Sequence, residues 1–270
     1  MSTVDAEEIR RSIENAVERR EIACVSRVLA LEGVDSTQNV AAKECDGHAG
    51  LLVLTRHQGA GRGRLGRTWA DPGGKGVALT LTLRAEREAA ARLPIAVGVA
   101  VAEAAAASLG ILPSAGDIRI RWPNDVIENR RGRKLAGVLI ESPQPGLFLI
   151  GIGVNVDQAE TDWPAELTGR AVSLGQLGCV ADAGRLVVNI LMAIDRATGS
   201  GVTTESVLSR WQAFDALRGR RVTVSAAGRE VTGIAEAIAP TSHLLIRTAT
   251  GTERVPAATT SLLSVEGSQW

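Results

Sequence analysis

The stretch Gly59-Ala-Gly-Arg-Gly-Arg-Leu-Gly-Arg-Thr-Trp69 decides the fold class, because it admits two incompatible readings. Gly61, Gly63 and Gly66 satisfy G-x-G-x-x-G, the dinucleotide-binding fingerprint. Arg62, Arg64 and Arg67 fix positive charge in the same loop. The fingerprint needs a strand, a glycine turn and then a helix whose N-terminus holds the pyrophosphate. The apolar run Leu51 to Thr55 supplies the strand, and Glu86 stands where the ribose ligand belongs. The helix is missing. Residues 68–76 contain Pro72, Gly73, Gly74 and Gly76 and no apolar periodicity, so they cannot build the turns required. That argues against a doubly wound dinucleotide fold.

A nucleic-acid patch fits little better. Lys+Arg and Asp+Glu both number 30, for a formal net charge of zero, whereas nucleic-acid surfaces carry a basic excess. Two Phe, five Trp and no Tyr leave few rings on which bases could stack. An idle loop of glycine and arginine would be costly to order without an anion to grip. The remaining reading is a flexible, donor-rich loop that closes over a small anionic ligand.

The rest of the chain places this loop in an α+β protein. With 270 residues, 45% of them hydrophobic, there is enough for one large domain and one small one. Ser2-x-x-Asp5 resembles a capping box, and Ile9, Ile13 and Val17 give an amphipathic first helix. Cys24 to Leu31 reads as a strand, and Asp35 or Ser36 caps a short helix through Ala42. Val77 to Arg84 alternates as a strand, and Pro94 to Leu109 is an alanine-rich helix with Pro94 in its first turn and Gly110 past its end. After a link over 111–116, Ile118 to Trp122, Leu135 to Glu141 and Leu147 to Val156 read as an antiparallel meander. Helices follow near Asp182 to Ala197 and Thr203 to Phe214. Beyond Leu217 the texture changes to short strands, Val222 to Ser225, Arg229 to Ile238, Leu244 to Thr248 and Glu253 to Val255, the pattern of a small β-barrel. The expected division is 1–216 and 217–270.

Cys24, Cys45 and Cys179 lack a C-x-x-C spacing and suit a reducing cytoplasm. His48, His57 and His243 have no metal-ligand spacing. No apolar leader and no uninterrupted membrane-length apolar run is seen, so no membrane partner is expected.

The chemistry-bearing residues lie in the meander. Pro123 interrupts a strand and presents Asn124 and Asp125 at a turn, where a carboxylate is either a Mg²⁺ contact or an ordinary turn residue. Lys134 shares strand phase with Ala136, Val138 and Ile140, which would point it inward, though this segment by itself favours a surface lysine at a strand start. In Ile150-Gly-Ile-Gly-Val-Asn155, Gly151, Gly153 and Asn155 share one face, and strand glycines often mark a ligand's approach to the backbone. With no P-loop, kinase signature or G-x-S-x-G elbow, these groups suggest ATP-dependent activation of a carboxylic acid, in which cations offset the repulsion between carboxylate and triphosphate.

Asp35-Ser36-Thr37, Gln58, the arginine loop to Trp69, Trp122-Pro-Asn-Asp125, Arg133-Lys-Leu-Ala-Gly137 and Gly151-Ile-Gly-Val-Asn155 together resemble the biotin–protein ligases. The resemblance implies a class II synthetase-like domain of mixed, largely antiparallel sheet with flanking helices, followed by an SH3-like barrel. It implies two steps. Biotin attacks the α-phosphate of ATP to give biotinyl-adenylate, and a lysine of a carboxylase's biotin carboxyl carrier domain, such as that of acetyl-CoA carboxylase, then takes the biotin. ATP, Mg²⁺ and biotin enter as substrates with no tightly bound cofactor. By the same resemblance, Ser36, Thr37, Gln38, Gln58, Arg62, Gly63, Arg64 and Gly151 line the biotin side. Lys134 lies between carboxylate and phosphate. Arg67, Trp69, Asn124, Asp125 and Asn155 belong to the nucleotide side, and Lys134, Arg64 and Asp125 carry the chemistry. A homodimer through sheet edges is allowed.

Two departures stand out. Many members read Ser-Thr-Asn where this chain has Ser36-Thr37-Gln38, with Asn39 one place late, and the C-terminal segment lacks the Gly-Glu-Val expected near its last strand. The 34 residues before Asp35 are too few for a winged helix-turn-helix, so no operator binding is expected. The rival functions are a lipoate or octanoate ligase or transferase of similar fold, which would not need the arginine loop, and a non-catalytic biotin-binding module.

Overall fold

The computed structural model describes residues 5–111, 116–239 and 242–267. Seven strands form the larger sheet: β1 (Arg27–Leu31), β2 (Leu51–Thr55), β3 (Gly76–Arg84), β4 (Ile118–Arg121), β5 (Asp125–Glu128), β6 (Lys134–Gln144) and β7 (Leu147–Asn155). Their spatial order is β1-β2-β3-β7-β6-β5-β4. Only β1 and β2 run parallel, and the other neighbours are antiparallel.

The two faces of this sheet have different work, set by the period of two along each strand. On one face Leu52, Leu54, Leu79, Leu81, Ala136, Val138, Ile150, Ile152 and Val154 enter the main core. They do so with the helices α1 (Ala6–Glu18), α3 (Arg87–Ser108), α4 (Ala183–Thr198) and α5 (Thr204–Phe214). On the other face Leu51, Val53 and Leu149 pack against Ala41 of α2 (Thr37–Glu44) and against Cys45, its C-cap. Beside α2 on that second face, Gly137 stands opposite Gly153, and Leu139 opposite Gly151. There the glycines let side chains lie directly on the bare backbone, and this floor becomes the site.

Local expectations shift in four places. Ser2 lies outside the described residues, and Asp5 is the N-cap of α1, its carboxylate accepting the Glu8 N–H at 2.7 Å. The first strand starts at Arg27 rather than Cys24. Helix α3 starts at Arg87, so Pro94 sits inside it. The stretch Arg87 to Leu93 consists of Arg, Glu, Ala and Leu, whose helix propensity carries the helix across the proline. Asp125–Glu128 is a strand, too short and too close to Pro123 to show an alternation of its own. Helix α3 is long and apolar enough to cross a membrane by length and composition, but 72% of that window is buried in the core. Residues 112–115 of the link after α3 lie outside the described residues.

The second sheet contains β8 (Arg221–Ala226), β9 (Arg229–Ile238), β10 (Leu244–Thr248), β11 (Gly251–Val255) and β12 (Thr260–Val265), in order β11-β10-β9-β8-β12 and wholly antiparallel. Register shifts at Leu245/Ile246 and Leu262/Ser264 bend it, as bulges do, into the expected SH3-like form. The sequence reading missed β12, the strand nearest the site. Val222, Val224, Ile246 and Val265 join the same core as the large sheet, and the Trp122 indole N–H donates to the Ser242 carbonyl at 3.0 Å. The three cysteines are free, and burial pushes the Cys24 thiol well above its ordinary value.

Candidate active site

The arginine loop is a narrow hairpin. The Trp69 N–H donates to the Gly61 carbonyl at 2.9 Å, and the Gly63 N–H to the Arg67 carbonyl at 2.7 Å. A single 3-10 turn, Arg64–Gly66, closes its tip with Leu65 at φ 55°. After it comes only the 3-10 turn Pro72–Gly74, so no helix N-terminus is available for a dinucleotide. The three arginines reach different partners. Arg62 pairs with Glu141 of β6 and donates to Asn39 Oδ1 at 2.8 Å. Arg64 donates to the carbonyl of Ala257, and at 3.4 Å to Asn124 Oδ1 and to the carbonyl of Thr260. Arg67 reaches Ser261 Oγ at 3.4 Å. Burial lowers the pKa of Arg64.

Trp69, at the end of the hairpin, lies on this glycine floor. A Cβ on Gly153 would come within 2.5 Å of Trp69 Cε2, and one on Gly137 within 3.1 Å of Trp69 Cζ3. Only hydrogen at these two positions lets the indole approach the backbone so closely. Lys134 Nζ lies 5.3 Å from the centroid of the same indole, within cation–π range.

Lys134 points into this space for a reason other than simple phase. Ile127 of β5 pairs with Lys134, and Val126 with Ala136, so Leu135 is an extra residue in a bulge. The bulge moves Lys134 off the face of Ala136 and Val138, which enter the core, and onto the face of Gly137. The shared phase expected from sequence is therefore corrected, while the inward direction stands. Lys134 Nζ lies 2.6 Å from Asp125 Oδ1, and Arg121 Nη2 lies 3.0 Å from Asp125 Oδ2. Burial pushes the Asp125 pKa up, but Lys134 and Arg121 more than offset this and hold it below the ordinary carboxylate range. Both carboxylate oxygens are thus occupied by cations. Among the described residues no group of three His, Cys, Asp or Glu side chains could hold a metal. A divalent ion would be held here chiefly by phosphates it brings with it.

The opposite wall is polar. Ser36 is the N-cap of α2. The Thr37 N–H donates to Gln58 Oε1 at 2.8 Å, and Thr80 Oγ1 donates to Thr37 Oγ1 at 2.9 Å. The Gln58 N–H in turn donates to Asp71 Oδ2 at 2.8 Å, and burial raises the Asp71 pKa. Ser36 Oγ and Gln38 Oε1 are buried and have no hydrogen-bond partner. Buried polar atoms are almost always paired, so two unpaired ones lining a cavity mark where a ligand's polar groups go.

One cavity of about 840 Å³ is lined by Ser36, Thr37, Gln38, Gln58, Arg62, Gly63, Arg64, Arg67, Trp69, Asn124, Asp125, Lys134, Gly151 and Asn155, the residues that the family resemblance assigns to biotin, nucleotide and chemistry. Asn155 also steadies the start of β6, since its Nδ2 donates to the carbonyls of Lys134 and Val172, both at 3.1 Å. Sequence reasoning missed Arg121, Arg131 and Arg170 of the lining, although Arg131 sits in the basic run beside Lys134. It also missed Ser261 and Leu262, which arrive from β12 with no local signal.

The Biotin/lipoate A/B protein ligase family matches residues 31–157, and the Biotin protein ligase C terminal domain matches residues 218–263. Among curated relatives, the biotin--[acetyl-CoA-carboxylase] ligase of Paracoccus denitrificans is 33% identical over 237 residues, 84% of this chain and 97% of that protein. The ligase of the same name from Mycobacterium tuberculosis is 33% identical over 200 residues, 70% of each chain. The bifunctional ligase/repressor BirA of Bacillus subtilis is 31% identical over 171 residues, and the match spans only 51% of its length. The biotin protein ligase of Aquifex aeolicus, solved in complex with biotin and ATP, superposes with TM-score 0.75 at 26% identity, covering 88% of this chain and 99% of that one. With the arginine hairpin, the glycine floor and the Lys134–Asp125 pair in one cavity, the chain belongs to the biotin protein ligase family.

Proposed function

We propose that this protein activates biotin with ATP and transfers it to a lysine of the biotin carboxyl carrier domain of acetyl-CoA carboxylase or a related carboxylase. One observation carries the reading. A wall with two unpartnered buried oxygens, Ser36 Oγ and Gln38 Oε1, shares a cavity with the Lys134 ammonium. The polar wall suits the hydrogen-bonding head group of biotin. The lysine suits the place where its carboxylate meets phosphate.

In the first step a biotin carboxylate oxygen attacks the α-phosphorus of ATP, and pyrophosphate leaves with the electrons of the broken P–O bond. Lys134 neutralises negative charge that builds on the phosphoryl oxygens, and Asp125 holds its ammonium in place. Mg²⁺ enters as the counter-ion of ATP, part of the substrate. Trp69 offers a face for the adenine, and Arg67 and Asn124 line the same cavity. Arg64, anchored on the second sheet, covers the mixed anhydride and keeps water away. In the second step the carrier's uncharged lysine amine attacks the acyl carbon, an amide forms, and AMP leaves.

In this reading residues 1–216 carry both substrate sites, and 217–270 contribute the carbonyls and hydroxyl that dock Arg64 and Arg67. The location is cytoplasmic, where ATP and carboxylases are found, and sedimentation of the purified protein would reveal the homodimer that the family resemblance allows. The test is incubation with ATP, Mg²⁺, biotin and a carrier domain. One biotinyl mass added on the carrier lysine is expected. Transfer of lipoate or octanoate with no transfer of biotin overturns the reading.

A further inference from the structure

Resting on that reading, we infer that Glu141 is a positioning residue that couples the head-group wall to closure of the arginine hairpin. Glu141 does not line the cavity, but on β6 it follows Gly137 and Leu139 on the cavity face of the sheet. Its two carboxylate oxygens go to different places. Oε2 accepts from Gln38 Nε2 at 3.0 Å, and Oε1 takes the guanidinium of Arg62. Arg62 also donates to Asn39 Oδ1, and Asn39 Nδ2 to Asp35 Oδ2 at 2.9 Å. Gln38 and Asn39 are neighbours on α2, so the contacts close a ring through Glu141, Arg62, Asn39 and Gln38.

The ring explains the departure at positions 38 and 39. A glutamine is one methylene longer than an asparagine, and Gln38 uses that length to reach Glu141 across the bare backbone of Gly151. A Cβ at Gly151 would lie 3.1 Å from Gln38 Cδ and 3.3 Å from its Oε1. With Nε2 bound to Glu141, the amide is fixed with Oε1 turned away, buried and unpaired. An acceptor in that state recognises an N–H donor, and an aliphatic acyl chain has none to give. The Arg62–Glu141 pair is more than one-third exposed on both sides, so its net contribution to stability is small. Its consequence is geometric: the carboxylate that aims Gln38 also holds the first arm of the hairpin.

The test uses Glu141→Ala, Glu141→Gln and Arg62→Ala in the full chain, each checked by thermal melting. Without ligand, trypsin cleavage after Arg64 and Arg67 reads the hairpin. Glu141→Gln should speed it several-fold, Arg62→Ala at least as much because it also loses Asn39, and the double variant no more than Arg62→Ala alone, because the two changes share the Arg62–Glu141 contact. With biotin, Glu141→Ala should raise KM about tenfold with kcat within threefold, the size of one lost charged hydrogen bond. Glu141→Gln keeps an acceptor for Gln38 Nε2 and should recover most of that KM. Wild type should also reject a biotin methylated on its ureido nitrogen more strongly than Glu141→Ala does. A wild-type KM in folded Glu141→Ala, or additive cleavage rates in the double variant, overturns the inference. Wild-type protein that transfers no biotin overturns the ligase reading instead, and the ligand-free cleavage rates still decide the coupling.

Discussion

The indole of Trp69 rests on the backbone of Gly153, so closely that a Cβ there would stand 2.5 Å from Cε2. The contact joins the end of the arginine hairpin to the floor of the cavity, and it makes Gly153→Ala a specific probe. The added methyl must expel the indole or shift β7, an overpacking cost of about 1–3 kcal/mol. KM for ATP should rise and the melting temperature fall. Trp69→Leu removes the clashing ring, so the double variant should melt no lower than Trp69→Leu alone. A Gly153→Ala protein with wild-type melting and ATP kinetics would mean that Trp69 does not depend on this bare backbone.

Lys134 carries a second prediction. Lys134→Met removes the ammonium but leaves Asp125 paired with Arg121, so the fold should survive. Biotin-dependent exchange of pyrophosphate into ATP should drop by about 10²–10³, the loss typical of one preorganised charge-stabilising donor. Lys134→Arg should not restore it, because the planar fork cannot replace a compact ammonium held 2.6 Å from Asp125. Exchange at wild-type rate in the methionine variant would remove Lys134 from the chemistry.

The same residue shows how far the sequence could be read. The glycine face of β7 follows from its own alternation, and the absence of a helix after the arginine loop follows from Pro72, Gly73 and Gly74. Both are local. The face of Lys134 depends on a bulge at Leu135, and that bulge exists only in the pairing with β5, a strand of four residues. Arg64 docks on the carbonyl of Ala257, 193 positions away, and any residue type supplies a carbonyl. Backbone acceptors brought in from another sheet leave no mark in the sequence.

Two partly buried carboxylates should respond to pH with opposite signs. Asp125 has a folded pKa below its unfolded value, so its contribution to stability is present above about pH 4 and is lost as pH falls through the lower folded value. Asp71 has a raised folded pKa, so its ionised form is disfavoured and any benefit it gives is lost as pH rises through that value. Asp125→Asn should therefore melt below wild type at pH 7, with the gap closing in acid. Asp71→Asn keeps a carbonyl for the Gln58 N–H and should melt level with or above wild type at pH 7, again converging in acid. Melting curves from pH 3 to 8, with gaps that do not change, would show that neither shift exists.

Arg64 gives the last prediction. Together with Arg67 it ties the hairpin tip to the second sheet, through the carbonyls of Ala257 and Thr260, and it also reaches Asn124 beside Asp125. Arg64→Gly removes all three contacts and adds backbone freedom at the tip. Adenylate formation depends on Lys134 and should persist, whereas retention of the adenylate depends on the closed hairpin and should fail. The variant should therefore release biotinyl-adenylate and label lysines on bystander proteins, and adding a bulk amine should divert the label. Arg64→Lys, with a single ammonium in place of the fork, should give intermediate leakage. Labelling by Arg64→Gly that stays confined to the carrier lysine would mean that the hairpin is held shut by Arg62 and Trp69, and that Arg64 does not guard the intermediate.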